Sequence, residues 1–217
     1  MSYEGQSEPA RPRARRMSPD DRRQQLLRVA MEVFARRGLG EARHAEIAHL
    51  AGVAVSTVFV YFPTRAKLVA AVLGEVERFL LHMAERIHAS EEPAPAVILA
   101  HARAFAESVD TRPDHARVWL DWSTAIRDDV WPRYLELQER VVKILERTIR
   151  RGQVEGSISA AVDPEDDARV VVGSAHTIAL MKFTHLSEER VDHFLRSLVQ
   201  AAVGGDTGGD AAPANAG

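Results

Sequence analysis

Glutamates that stand three residues before a histidine are the residues of this chain whose spacing most directly suggests chemistry. Glu46 precedes His49 by three positions, and Glu85 precedes His88 in the same way. Di-iron carboxylate bundles use this spacing twice and add two further glutamates. Neither pair belongs to an obviously buried stripe, and the sequence has no Gly-rich phosphate loop and no local Ser/His/Asp signature. A helical-bundle metalloenzyme is therefore a remote alternative, and we expect neither an enzyme nor a cofactor.

The charged residues are divided unevenly along the chain. Residues 1–70 contain 12 Lys or Arg against 7 Asp or Glu, a net charge of +5, whereas residues 71–217 contain 16 against 24, a net charge of −8. A basic first third on an acidic remainder indicates that the first third binds a polyanion. Chance clustering of solvated charges is the alternative.

The composition narrows the class of protein. There is no cysteine, so disulfides, thiol catalysis and cysteine-based zinc sites are excluded. The first residues have no apolar signal-peptide core, and the longest apolar run, residues 170–181, is too short and too interrupted to span a bilayer. We therefore expect a soluble cytoplasmic protein without a membrane partner.

Between two ends of low complexity, the sequence pattern is helical almost throughout. We expect a flexible basic arm at residues 1–17 and a disordered Gly/Ala/Asp-rich tail from Gly204. The apolar spacing and the capping residues predict an all-α protein of about nine helices. Their approximate ranges are 18–38, 44–51, 53–62, 64–89, 93–109, 114–125, 128–151, 164–184 and 187–203.

Residues 53–62, VAVSTVFVYF, look like a buried strand by propensity alone. Both alternating sets are largely apolar, however, and no partner strand is visible. On a helix, Val55, Val58 and Phe62 share one face, and Phe59 lies at its boundary. The opposite face carries Ser56, Thr57, Val60 and Tyr61. Together with the helix at 44–51 and the Ala51-Gly52-Val53 turn, this predicts a helix-turn-helix, with an ordinary αα-hairpin as the alternative.

The outer face of this short helix suits DNA. Its side chains are small and mostly uncharged, so the helix fits a major groove, where hydroxyl, methyl and aromatic groups contact base edges and thymine methyls. The basic arm and the uneven charge point to the same polyanion. We therefore expect double-stranded DNA as the partner and a nucleoid-associated protein.

The same residues resemble a known family. Residues 18–73 are similar to the DNA-binding domain of the TetR family of bacterial transcription regulators, through LLRVAMEVFARRG, IAHLAGV and TVFVYFPTRAKL. The run RHAEIAHLAGVAVSTVFVYFPTR, with VWLDWSTAIRDDVWP at 118–132, resembles more narrowly the LuxR/HapR-type quorum-sensing master regulators. The resemblance implies a homodimer on a pseudo-palindromic operator. It divides the chain into a DNA-binding domain at 18–66 and a ligand-binding and dimerisation domain at 67–203.

The resemblance also implies DNA-binding residues. Those facing the groove or its rims are Ser56, Thr57, Phe59, Val60 and Tyr61. Phosphate contacts are expected from Tyr61, Arg65, Lys67 and the backbone of the helix that begins at Thr64. His44 is either a phosphate neighbour or only a surface histidine. The arm residues Arg11, Arg13, Arg15 and Arg16 are expected to read narrow A·T-rich minor grooves.

Two residues depart from the family pattern. The family usually has Ser at the position of Ala54, so the recognition helix lacks an N-cap worth about 1 kcal/mol. The quorum-sensing group tends to have Asn at the position of Val60, and an apolar residue makes no such base-edge hydrogen bond. The operator and the role are thus open, and a ligand-released repressor of a local efflux or catabolic operon is the alternative.

The C-terminal two-thirds is expected to dimerise and to bind a ligand. The last two long helices present a surface rich in small residues, comprising Val170, Val171, Gly173, Ser174, Ala175, Ile178, Ala179 and Met181, beside Phe194, Leu198 and Val199. An internal core face is the alternative. A pocket for a small apolar or amphipathic ligand is implied near Phe79, Met83, Phe105, Trp119, Trp122 and His176. These residues, like His101, are otherwise part of the core. A ligand would shift the helix that begins at Thr64.

Overall fold

A computed structural model of the chain describes residues 17–204 and contains ten α-helices in that range, with no strand. The all-α prediction is confirmed, and the arm residues Arg11, Arg13, Arg15 and Arg16 lie outside the described residues. The helices are α1 (Pro19–Glu41), α2 (His44–Leu50), α3 (Val55–Tyr61), α4 (Arg65–His88), α5 (Ala94–Thr111), α6 (Pro113–Ser123), α7 (Trp131–Glu155), α8 (Pro164–Gly173), α9 (Ala175–Phe183) and α10 (Glu188–Ala202).

Capping residues start several helices where the sequence predicts. The hydroxyl of Ser18 accepts a hydrogen bond from the Asp21 N–H, that of Thr64 from the Lys67 N–H, and that of Ser187 from the Arg190 N–H. Each bond satisfies one of the free N–H groups of the first turn. At the other end of α1, Gly38 has a φ of 81°, which interrupts the helix before a last turn to Glu41.

The helix predicted at 164–184 is divided into α8 and α9 at Ser174. The Ser174 hydroxyl donates to the Val171 carbonyl at 2.6 Å. A hydroxyl that bonds to the preceding turn competes with the backbone ladder, and the adjacent Gly173 weakens the helix further. The division accounts for the tenth helix.

The apolar core does not separate the helix-turn-helix from the rest. One cluster of buried side chains continues from Leu26 in α1 through α4 and α6 to Leu195 in α10. A second cluster, around Ile98, Leu145 and Ile149, fills the end formed by α5, α7, α8 and α10. The predicted domain boundary near residue 66 falls at the start of α4 and stays a prediction.

Polar contacts join α1 and α4 to α6 and α7. Asp121 of α6 accepts a hydrogen bond from the Leu39 N–H at 2.5 Å. Arg133 of α7 donates to Glu77 at 2.7 Å and to the Ala70 carbonyl at 3.0 Å, both on α4. Helix α6 therefore holds the end of α1, and α7 holds α4.

Between residues 17 and 204, no single helix is both long and apolar enough to cross a membrane. Only α2 and α3 taken together are long and apolar enough, and the chain bends by 111° at the break between them.

Candidate nucleic-acid interface and ligand cavity

A short turn sets the angle between α2 and α3. The N–H groups of Ala51, Gly52 and Val53 donate to the carbonyls of Ile47, His49 and Ala48, respectively, at 2.9 to 3.2 Å. Gly52 has a φ of 65°, a left-handed conformation that glycine adopts without steric cost. The turn produces the 111° bend. Residues 53–62 therefore form the predicted turn and helix and not a strand.

Helix α3 is held by residues on one side. With only seven residues it is too short to persist alone, and Ala54 gives it no side-chain cap, as predicted. Val58 and Phe62 are completely buried in the apolar core that includes Ile47 of α2. Val55, expected on the same face, lies in the first turn of α3 and is exposed.

The opposite side of α3 presents a continuous surface. Ser56, Phe59 and Val60 are exposed, and Val60, at 75% exposure, projects farthest into solvent. Thr57 and Tyr61 are half-buried, and Tyr61 packs against the core. The five residues predicted to face the groove thus share this surface, with Thr57 and Tyr61 at its edges, and their contact with DNA stays a prediction.

His44 has a different place from the one expected. Its ring is only 8% exposed, and Nε2 lies 2.8 Å from the Phe62 carbonyl oxygen. Because a carbonyl only accepts, Nε2 carries the proton. The ring also stacks on Phe59, with centroids 4.3 Å apart and planes inclined by 5°. The alternative of a surface histidine is corrected, because His44 is buried and bonds to the end of α3, while its phosphate contact stays a prediction.

Arg65 is exposed, and it also bonds to the backbone of the protein. Its guanidinium donates to the Leu39 carbonyl and, at 2.9 Å, to the Gly40 carbonyl. These bonds tie the first residue of α4 to the last turn of α1. Thr64 and Lys67 beside it are exposed. Only Nη2 of the guanidinium makes these bonds, and the predicted phosphate contact of Arg65 stays a prediction.

One candidate that the sequence reading missed is Arg43, which directly precedes α2. Its side chain is 79% exposed, and its ion pair with Glu41 is long, at 3.8 Å. Arg36 and Arg37, by contrast, both contact Glu46, at 2.7 and 3.2 Å. Arg43 thus offers a cation at the start of the helix-turn-helix. Its position next to His44 was the available signal.

In each Glu-x-x-His pair, at least one residue bonds to partners outside the pair. Arg36 holds the pKa of Glu46 below its usual value, with Arg37 adding to the effect. His88 bonds to Thr148 and His101 instead of to a carboxylate. Within residues 17–204, no group of three or more His, Asp or Glu side chains is arranged to hold a metal ion.

A narrow apolar cavity of about 50 Å³ lies between α4, α5, α6, α7, α8 and α9. Met83, Phe105 and Trp119, all predicted ligand-binding residues, line it together with Leu80. Sites for drug-sized ligands usually enclose roughly 300–1,000 Å³. A ligand of that size therefore has to displace lining side chains or spread the helices.

The other three predicted ligand-binding residues lie away from this lining. Phe79 faces His115 and Arg112, with ring centroids 5.3 Å apart for the first pair. Trp122 is fully buried, and its indole N–H donates to the Val130 carbonyl at 2.9 Å. His176 bonds to Ser123 at 2.8 Å and packs behind Trp119. These three side chains contact other core or surface residues and do not line the cavity, so their ligand contacts stay a prediction.

Two histidines form the polar end of the cavity region. His101 lines the cavity, and its Nδ1 lies 2.8 Å from His88 Nε2. His88 Nδ1 lies 2.6 Å from the Thr148 hydroxyl. Burial lowers the pKa of His101 to about 4. Burial, with the nearby His101, Arg151 and Arg147, lowers that of His88 to about 3. Both rings are thus neutral near pH 7.

The predicted dimer surface divides into a buried and an exposed part. Val171, Ile178, Ala179, Met181 and Val199 are buried within the protomer, so the core-face alternative holds for them. Ser174, Ala175, Phe194 and Leu198 are half-buried. Val170, Gly173, Thr177 and Leu180 are exposed, and they follow one another in steps of three, four and three residues along α8 and α9.

Comparison with known sequences matches both the first helices and the whole chain. Residues 26–72 match the model of the bacterial regulatory proteins of the tetR family. The HTH-type transcriptional regulator LuxR of Vibrio harveyi is 35% identical over 196 residues, covering 88% of this chain and 91% of that protein. The HTH-type transcriptional regulator TtgR of Pseudomonas putida is 27% identical over 148 residues, covering 64% and 70%.

Solved structures share the fold. A TetR-like transcriptional regulator from Rhodococcus sp. RHA1 superimposes with a TM-score of 0.73 at 17% identity, covering 88% of this chain and all of that one. The transcriptional regulator FadR from Bacillus subtilis, in complex with stearoyl-CoA, gives a TM-score of 0.69 at 19% identity, covering 84% and 98%.

Replacing His44 with Ala tests whether this residue holds α3 in place. We expect His44→Ala to lower the free energy of unfolding by about 1–3 kcal/mol, because the buried Phe62 carbonyl loses its donor. His49→Ala, at an exposed position of the same helix, should change it by less than about 0.5 kcal/mol. Urea denaturation measures both. Equal stabilities with weaker DNA binding for His44→Ala alone would support the phosphate role.

Proposed function

The chain belongs to the TetR family of bacterial transcriptional regulators, and on that premise we propose that it is a LuxR/HapR-type regulator that acts in quorum sensing. It binds a pseudo-palindromic operator as a homodimer. The observation that carries the proposal is the division of α3 into a buried side and an exposed side. The 35% identity to LuxR favours this role over a ligand-released repressor of a local efflux or catabolic operon.

The exposed side of α3 supports reading in the major groove. Val60 has no hydrogen-bonding group, so its contact with DNA is apolar, and a thymine methyl is the matching feature of a base edge. Ser56 lies one turn earlier on the same side and supplies a hydroxyl. Phe59 is held by its stack on His44, so little side-chain freedom is lost on binding.

Groups around α3 supply the phosphate contacts. Arg43 and Lys67 offer exposed cations, and the first turn of α4 after Thr64 offers backbone N–H groups. Tyr61, at the edge of α3, adds a hydroxyl. The arginines of the arm, Arg11 to Arg16, are proposed to enter the minor groove on either side.

The dimer is proposed to form through α8, α9 and α10. The exposed positions 170, 173, 177 and 180 lie on one side of α8 and α9, and the small side chain of residue 173 allows close approach. Leu180 is a large apolar residue that is exposed in the protomer. A second copy of the chain covers it and places two recognition helices on one DNA duplex.

Ligand control is proposed to act through α4 and α6. Leu80 and Met83 of α4 and Trp119 of α6 line the cavity, while the same two helices contact the last turn of α1 through Arg65 and Asp121. A small apolar or amphipathic ligand that enlarges the cavity displaces both contacts together. A coupling of about 1–3 kcal/mol changes operator affinity roughly 5- to 150-fold.

Val60→Ala and Val58→Ala form a matched pair that tests the groove-reading side. We expect Val60→Ala to lower discrimination at one or two base pairs by about 1 kcal/mol, because a thymine-methyl contact is lost. Val58→Ala should instead lower the free energy of unfolding by about 1–3 kcal/mol. Selection from a randomised duplex library, with sequencing of bound DNA, reads the first effect. An unchanged base profile for Val60→Ala contradicts the assignment, and failure of the wild type to select any sequence contradicts the function.

Arg43→Ala and Arg65→Ala separate a phosphate contact from a structural one. For Arg43→Ala, the slope of log affinity against log salt concentration should become shallower by about 0.9 for each phosphate contact that is lost, and the stability should not change. Arg65→Ala should lower the free energy of unfolding by about 1–3 kcal/mol, because two carbonyls lose their donor. Titrations of an operator at several salt concentrations measure the slopes. A reduced slope at unchanged stability for Arg65→Ala would reverse its assignment.

Leu180→Glu tests the dimer surface. We expect the dimer dissociation constant to rise at least about tenfold, because each glutamate would lose its hydration without gaining a partner. Val154→Glu, at an exposed apolar position near the end of α7, is the control and should leave assembly unchanged. Sedimentation velocity at several protein concentrations measures both. An unaffected dimer in Leu180→Glu places the interface elsewhere.

A further inference from the structure

A chain of three side chains leads from α7 to the apolar cavity. The Thr148 hydroxyl contacts His88 Nδ1 at 2.6 Å, and His88 Nε2 contacts His101 Nδ1 at 2.8 Å. His101 is only 9% exposed and lines the cavity. The bond to His88 uses Nδ1 of His101, which leaves its second nitrogen, Nε2, outside this chain of hydrogen bonds. The chain therefore ends on a buried ring that has one nitrogen still available.

The protons of this chain have two arrangements. In the first, Thr148 donates to the Ile144 carbonyl at 3.4 Å, His88 donates to Thr148, and His101 donates to His88. His101 Nε2 then has a free lone pair. In the second, Thr148 donates to His88, His88 donates to His101, and His101 Nε2 carries a proton. Both arrangements keep the two short bonds.

The two arrangements of protons differ by one long hydrogen bond. The second loses only the Thr148–Ile144 bond, which at 3.4 Å is far longer than the 2.7–2.8 Å usual for a hydroxyl donor. A ligand with a hydrogen-bond acceptor replaces that loss with a bond from His101 Nε2–H. A ligand with a hydroxyl group instead finds an acceptor in the first arrangement. His101 thus adapts to either kind of polar group without a change of charge.

The surroundings disfavour a charged ligand. With a pKa of about 4, His101 is protonated in only about one molecule in a thousand at pH 7. The cavity lining otherwise offers Trp119 and Gln138 as polar side chains, and the Gln138 amide N–H already donates to the Tyr134 hydroxyl. A carboxylate or an ammonium group would therefore be buried without a countercharge.

From this geometry we infer that His101 anchors the ligand, and that the cavity takes an uncharged, largely apolar molecule with a single carbonyl or hydroxyl group. His88 and Thr148 act as positioning residues, because they fix the ring and deliver its proton. The inference rests on the proposed ligand role of the cavity and specifies its chemistry. The present volume of about 50 Å³ suits a short chain, since one water needs roughly 10–15 Å³ on this measure.

Four probes of equal chain length test the inference on the full-length protein: 2-hexanone, 1-hexanol, hexanoate and hexylammonium, each at pH 7.5. Calorimetric titration gives the affinities. The methyl signal of Met83 in NMR spectra reports whether the cavity is occupied, and long-range ¹H–¹⁵N spectra of the histidine rings report which nitrogen of His101 carries the proton. Operator binding is measured in the same samples.

We expect the ketone and the alcohol to bind at least about fivefold more tightly than either ion, and the ketone to place the proton on Nε2. His101→Phe should lower their affinity about five- to tenfold, whereas His101→Gln, which keeps hydrogen-bonding groups, should retain most of it. Thr148→Val should alter the protonation pattern of the histidines. His82→Phe, at an exposed position of α4, is the control and should change nothing.

Other outcomes overturn the inference in distinguishable ways. If hexanoate or hexylammonium binds as tightly as 2-hexanone, or if His101→Phe matches His82→Phe, the anchor is wrong while the cavity remains a ligand site. If no probe shifts the Met83 signal, the inference fails together with the ligand role. Normal operator binding in those samples leaves the regulator itself unaffected.

Discussion

The placement of α3 depends on contacts outside that helix. Seven residues, several of them β-branched and none providing a cap, do not form a stable helix alone. Val58 and Phe62 fix the helix by burial, and His44 fixes its C-terminal end through the Phe62 carbonyl. Because Val58 and Phe62 bury one side of the helix, the opposite side is open to solvent at Ser56, Phe59 and Val60. The same division that stabilises the helix therefore determines what it presents to DNA.

This placement extends along the chain to the cavity. Phe62 is followed within three residues by Arg65, whose bonds to Leu39 and Gly40 set the start of α4 against the end of α1. Helix α4 then runs without interruption to Leu80 and Met83 at the cavity. Asp121 gives α6 a second connection to Leu39, two residues after Trp119 at the cavity. Helix α4 and the hydrogen bond between Asp121 and Leu39 thus connect the surroundings of α3 with the cavity.

Sequence patterns predicted the features that depend on local rules. The caps at Ser18, Thr64 and Ser187, the turn at Gly52 and the two sides of α3 each follow from neighbouring residues. The hydrogen bonds of His44 and Arg65 could not be predicted in this way. Both are made to backbone carbonyls 18 or more residues away, and every residue type has the same carbonyl. The different positions of the two tryptophans could not be predicted either. Trp122 bonds to the carbonyl of Val130, beyond its own helix, whereas Trp119 lines the cavity.

The histidine pair shows the same difference between pattern and partner. His88 belongs to a Glu-x-x-His spacing that suggests a metal, yet its two nitrogens are used by Thr148 and His101. Burial removes the charge from both rings, so they supply direction without electrostatic attraction. The start of the helix-turn-helix differs, since the cationic side chain of Arg43 is exposed there. On the proposed function, one end of the molecule meets a polyanion through exposed cations, while the proposed ligand site selects by shape and by one neutral hydrogen bond. Helices α4 and α6 line the cavity and also hold the end of α1, so a ligand that enlarges the cavity is proposed to act on both contacts.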